Sequence, residues 1–170
     1  KFYENVMNRY KYGGLDTPGL YLDETTMRIC YSHRRLFAQL AKELVKQGDN
    51  ARAQKVLAYA EQAIPAYNVP QVYESGSYDI ATAYASIGET GKAITLLNDL
   101  ISESRDYIDW AFSLGDSRIE MVQRDCLYKF WQWNQCNELL KDMDKERYKQ
   151  SNQQFEEKYM RLAQLMNYQN

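Results

Sequence analysis

The sequence predicts an all-α fold assembled from helical hairpins, and three observations lead there. Apolar residues recur at intervals of three and four along most of the 170 positions, the period of one helix face. Two stretches forty positions apart repeat the same order of small and large side chains. Glycine clusters, Gly48-Asp49-Asn50 and Gly88-Glu89-Thr90-Gly91, fall where each hairpin must turn.

The first hairpin is the clearer one. Between Arg34 and Tyr67, Phe37, Leu40, Ala41 and Leu44 share one helical face, Ala53, Leu57 and Ala60 share a second, and Pro65 closes the unit. Small residues at 41, 53 and 60 let antiparallel helices approach, and the leucines fill the space between them. That spacing resembles the tetratricopeptide repeat, with all eight signature positions filled. The second copy runs Ser77, Ile80, Ala81, Tyr84, then Ala93, Leu97 and Leu100, with Arg105 in place of the closing proline. Two tetratricopeptide-like repeats are therefore expected over residues 23–107.

The flanks follow from caps and breakers. Asp23 or Thr25 caps a first helix that meets no glycine or proline before Gln47, and Asp49 or Thr90 caps the helix after each turn. Residues 1–22, with Gly13-Gly14-Leu15-Asp16-Thr17-Pro18-Gly19 between Tyr10, Tyr12, Leu20 and Tyr21, read as an irregular, extended lead segment pinned by its aromatics. The connection from Ala66 to Glu74, which carries Pro70, reads as a bulging loop. Over residues 108–170 a pair of long helices closes the fold. The capping box Ser117-x-x-Glu120 opens the first, along Ile119, Val122, Cys126, Phe130, Trp133 and Leu140. A break between Asp142 and Ser151, capped at Ser151-x-x-Gln154, opens the second, along Phe155, Tyr159, Leu162 and Met166 and ending at Tyr168.

Composition narrows the function. With 21 basic and 23 acidic side chains, a net charge of -2 gives no clustered cationic surface for nucleic acid. Hydrophobic residues at 45% and charged ones at 26% place the chain among folded globular proteins, and its length fits one domain. No apolar run is long enough for a signal peptide or a membrane helix. Fifteen tyrosines are an excess, and rings with a polar tip suit half-buried packing or a binding face. Cys30, Cys126 and Cys136 lack metal or redox spacing and read as small buried hydrophobes. The chain opens on Lys1 rather than Met, as expected of a piece of a longer protein.

The stretch NRYKYGGLDTPGLYLDETTMR followed by CYSHRRLF, with YNVP at Tyr67–Pro70, GETGKA and DWAFSL further on, resembles the C-terminal soluble region of bacterial multi-pass membrane proteins related to protein O-mannosyltransferases. The resemblance implies a helical-repeat tail on the periplasmic side of the inner membrane, behind a glycosyltransferase-like membrane portion that carries the catalytic acids. It transfers no active-site residue to this chain. The expectation is a non-catalytic interaction or positioning module that needs no cofactor. A freestanding cytoplasmic adaptor and a glycan-binding or enzymatic domain on a helical scaffold are the alternatives.

His33 is the only histidine and reads as a half-buried helix residue. Asp142-Met143-Asp144 has the form of a metal-binding DxD but lies in a charged helix end. Asp16, Asp23 and Glu24 lack the spacing of a calcium loop and suit turn and cap roles. Phe130 and Trp133 fit the inner stripe of their helix, which leaves Tyr128 and Trp131 for inter-helix packing or for ligand stacking. The sharper expectation is a partner-binding groove at Arg35 and Lys42 of the first repeat and Tyr78 and Thr82 of the second. Residues 1–47 carry 8 basic against 5 acidic side chains, so an acidic or carboxylate-ended protein or peptide, or another part of the parent chain, suits that groove. Arg35 and Lys42 are two helical turns apart, about 10 Å along one face.

Overall fold

The computed structural model describes residues 2–167, so Lys1 and positions 168–170, including the Tyr168 that ends the expected closing helix, lie outside the described residues. Seven α-helices follow one another: α1 (Phe2–Asn8), α2 (Glu24–Lys46), α3 (Asn50–Ala63), α4 (Ser77–Ser86), α5 (Thr90–Ser113), α6 (Gln123–Met143) and α7 (Lys145–Asn167). Among the described residues there is no strand, and the fold is all-α. The chain divides into two compact units, Lys1–Leu96 and Leu97–Asn170, with the division inside α5.

In the first unit α2 packs against both α3 and α4. The seam is made by Phe37, Leu40, Ala41 and Leu44 of α2, Ala53, Val56, Leu57 and Ala60 of α3, and Ile80, Ala81 and Tyr84 of α4, all buried. Each buried leucine withdraws enough apolar area to contribute roughly 1.5–3 kcal/mol. The caps fall where the side chains allow. Asp23 accepts from the Thr26 amide at 3.0 Å and Asp49 from the Arg52 amide at 3.0 Å, each satisfying a donor that the first helical turn leaves open. Thr90 does not cap α5; its hydroxyl reaches back to the Gly88 carbonyl at 3.4 Å, and the helix begins on Thr90 itself.

The lead segment departs from its expected extended form at its start, because α1 occupies Phe2–Asn8 and buries Val6 completely. Local polarity is overridden there by tertiary burial of one apolar side chain. The remainder is irregular and firmly held. Asn68 donates through Nδ2 to the carbonyls of Leu15 and Thr17, both at 2.7 Å, and the Tyr67 hydroxyl donates to the Asp16 carbonyl at 2.8 Å. Tyr12 packs edge-on against His33 and Tyr59 and tilted against Phe37, at centroid distances of 5.5, 6.3 and 5.8 Å.

Beneath the Ala66–Glu74 connection lies Arg34, only 3% exposed. Its guanidinium donates to the carbonyls of Ile64 (3.3 Å), Val69 (2.8 Å) and Pro70 (2.9 Å) and to the Ser75 hydroxyl (2.7 Å). These are neutral acceptors, so burial outweighs them and pulls the arginine down to about 10.

In the second unit the absence of a proline at Arg105 lets α5 run on to Ser113. Residues Asp116–Val122 wind as a 3-10 helix after Gly115, whose φ is +86°, and α6 starts only at Gln123. The Ser117 capping box is therefore not used, because the tighter winding of that stretch precedes the α-helix. The α6–α7 turn comes at Asp144, whose Oδ1 accepts from the Arg147 amide at 3.0 Å. Ser151 lies inside α7, where its hydroxyl accepts from Trp133 Nε1 at 2.8 Å and donates to Asn137 Oδ1 at 2.6 Å. An aromatic cluster joins α6 to α7: Phe155 meets Phe130 and Trp133 edge to face at 5.4 and 5.7 Å, and Tyr159 meets Phe130 at 5.3 Å.

Candidate functional site

Arg35, Lys42, Tyr78 and Thr82 lie on facing elements of the first unit, but their side chains are engaged within the chain. The Arg35 guanidinium donates to the Glu74 carbonyl at 2.6 Å. Lys42 Nζ is 2.9 Å from Asp79 Oδ1, in a pair whose side chains are 32% and 42% exposed. Tyr78 stacks on Tyr73 at a centroid distance of 5.1 Å, and the Thr82 hydroxyl donates to the Tyr78 carbonyl at 2.9 Å. Ala38, midway between the two cations, is wholly buried. This face of α2 is thus largely the surface that α4 packs against, and the carboxylate matched to Lys42 comes from Asp79.

Tyr128 and Trp131 are each 47% exposed and stack on one another, 5.6 Å between centroids and 14° between planes. Phe130 and Trp133 are buried, as the inner stripe requires. Asp142 is exposed, and Asp144 caps α7, so the DxD-like pair serves a helix end. Asp23 caps α2 and Glu24 pairs with Arg28 at 2.6 Å. Among the described residues no group of three or more histidine, cysteine or acidic side chains is placed to hold a metal. His33 Nδ1 lies 3.3 Å from the Tyr12 hydroxyl. The three cysteines are free and buried, and burial pushes the Cys136 thiol up to about 12 and those of Cys30 and Cys126 upward, away from the reactive thiolate.

Sequence spacing did not disclose a cleft of about 460 Å³ between the lead segment and the end of α3. Tyr10, Tyr12, Tyr59 and Tyr67 line it, together with Lys11, Asp16 and Glu61. The tyrosines come from positions up to 57 apart, brought together by the Asn68 and Tyr67 bonds to the lead loop. The one signal available beforehand was the tyrosine excess itself. Burial raises the Tyr12 hydroxyl well above the usual phenol range, so it stays neutral.

Among the described residues no helix is long and apolar enough to cross a membrane. No family model, no curated protein and no solved structure matches this chain.

Proposed function

We propose that the chain is a non-catalytic interaction or positioning module of tetratricopeptide-like hairpins, the extracytoplasmic tail of a membrane glycosyltransferase-like protein. The observation that carries the repeat reading is the burial of the small residues Ala41, Ala53, Ala60, Ala81 and Ala93 at the positions where the motif needs close approach of helices. The non-catalytic reading is supported by how the carboxylates are spent. Asp23, Asp49 and Asp144 cap helices, while Asp79, Glu61 and Glu103 pair with Lys42, Lys92 and Lys129. A catalytic acid or base works instead from a cleft in which its proton affinity is tuned toward neutrality.

The partner in this reading is an extended acidic peptide or another segment of the parent protein, seated along Arg35, Lys42, Tyr78 and Thr82. Such a ligand must take Lys42 from Asp79. Replacing Asp79 by Asn would therefore tighten binding of a fluorescent peptide bearing spaced glutamates, and adding Lys42→Met would abolish the gain. If Asp79→Asn leaves the affinity unchanged, the face is helix packing alone. Hydrolysis of a glycan or sugar nucleotide by the purified chain, lost on changing Asp142 or Asp144, would overturn the non-catalytic reading.

A further inference from the structure

We propose that the tyrosine cleft between the lead segment and α3 binds a neutral saccharide. This inference stands apart from the peptide-binding reading of the α2–α4 face, since no residue is shared between the two.

At about 460 Å³ the cleft has the size of a small-ligand site rather than of a packing defect. Its chemistry is amphipathic. Tyr10 and Tyr67 are 37% and 61% exposed, which leaves ring surface in contact with solvent on two different segments. In the same lining the rings of Tyr12 and Tyr59 meet edge to face, 6.3 Å apart. Rings of this kind pack against the C–H face of a pyranose, and the polar groups beside them meet its hydroxyl rim.

The hydrogen-bonding capacity left in the cleft selects the ligand. The Tyr67 hydroxyl proton is given to the Asp16 carbonyl, and the Tyr12 hydroxyl is turned to His33. The lining also brings two carboxylate residues, Asp16 and Glu61, against the single cation Lys11, so its charged groups are mostly acceptors. Glu61 already receives the Tyr84 hydroxyl at 2.6 Å and Lys92 at 2.9 Å, so its charge is compensated and its remaining lone pairs suit a neutral O–H donor. A ligand rich in hydroxyl donors fits these acceptors. A proline-rich peptide offers carbonyl acceptors and few N–H donors, and it docks on aromatic grooves whose rings donate to it. Phosphates are disfavoured because Lys11 is the one cation in the lining, against two carboxylates.

The experiment uses the full chain, with backbone amide NMR spectra recorded during separate titrations of cellobiose, α-mannobiose and N,N′-diacetylchitobiose. At least one of them is expected to shift amides of residues 10–16 and 59–67. Tyr67→Ala, which removes an exposed ring, should weaken that binding about tenfold or more. Tyr67→Phe, which keeps the ring and loses only the Asp16 bond, should bind nearly as the parent does, with both variants checked for an unchanged melting temperature. If none of the three sugars moves a cleft amide, or if a proline-rich decapeptide moves them and the sugars do not, the proposal is overturned. The Asp79 experiment reads the other face and is unaffected by either result.

Discussion

A Cβ added to Gly76 would lie 2.5 Å from Cγ of Arg35 and 3.1 Å from its backbone nitrogen. Gly76 therefore sets how closely the turn into α4 can approach α2, and its φ of +84° is one that other residues adopt at a cost. Gly88 has nearly the same φ, +82°, with open space around it. Alanine at Gly88 should lose only the left-handed penalty, about 1–2 kcal/mol. Alanine at Gly76 should lose that and about 1–3 kcal/mol more from overpacking. Urea unfolding of the two variants measures the difference, and equal losses would mean that the contact relaxes freely.

Arg34 supplies charge-bearing donors to the carbonyls of Ile64, Val69 and Pro70. Lysine keeps the charge but cannot span acceptors on several sides, so Arg34→Lys should cost about 2–4 kcal/mol, the range of one or two lost charged hydrogen bonds. Limited proteolysis should then cut first between residues 64 and 75. Wild-type resistance in that stretch would place the anchor elsewhere.

The caps make stability sensitive to acid. Backbone amide donors hold the Asp23 and Asp49 carboxyls below their usual value of 3.8. Because these folded values are depressed, their contribution is present above the unfolded value and is lost as the pH falls through the folded one. Asn keeps the capping oxygen without the titration. The double change Asp23→Asn, Asp49→Asn should flatten the fall in denaturation midpoint below about pH 4 while leaving neutral-pH stability nearly as it was. An unchanged acid slope would exclude the caps as its source.

The turn between α6 and α7 separates two roles. Asp144→Ala removes a helix cap and should cost about 1 kcal/mol. Ser151→Ala strands the Trp133 indole N–H and the Asn137 carbonyl in the interior, at about 1–3 kcal/mol each before any relaxation. If the serine variant proved the milder of the two, Ser151 would not be the bridge between α6 and α7.

Much of this was legible in the sequence because the first hairpin obeys every local rule together. Phe37 to Pro65 combines helix period, small-residue spacing, an Asp49 cap and the Gly48 turn, and the helices fall where those signals put them. The C-terminal boundaries were harder, since Asp144 and Ser151 carry the same capping chemistry and only the three-dimensional position of Trp133 decides that Ser151 is needed inside a helix. Ser117 failed for a related reason, a 3-10 winding that no periodicity announces. How far the α2–α4 face is engaged was not legible along the chain, because the partners of Arg35 and Lys42, the Glu74 carbonyl and Asp79, lie about forty residues away. The tyrosine cleft is likewise a product of long-range bonds, which a pattern read along one helix cannot contain.

Those long-range bonds carry a kinetic consequence. Asn68 and Tyr67 grip carbonyls 51 to 53 residues earlier, so docking the lead loop closes a ring of about that many residues, whereas α2 and α3 need only the three-residue turn Gln47, Gly48 and Asp49. Ring closure of that length costs about 2 kcal/mol more than a short one, on the slow logarithmic scale of chain entropy. The loop is then the last piece to dock during folding and the first to lift during native-state fluctuation, as a unit smaller than the whole domain. Amide hydrogens of residues 13–17 would exchange from this partly open form while those of α2 and α3 still await global unfolding. The cleft would share its lifetime with that loop, assembled and dissolved many times within the life of one folded molecule.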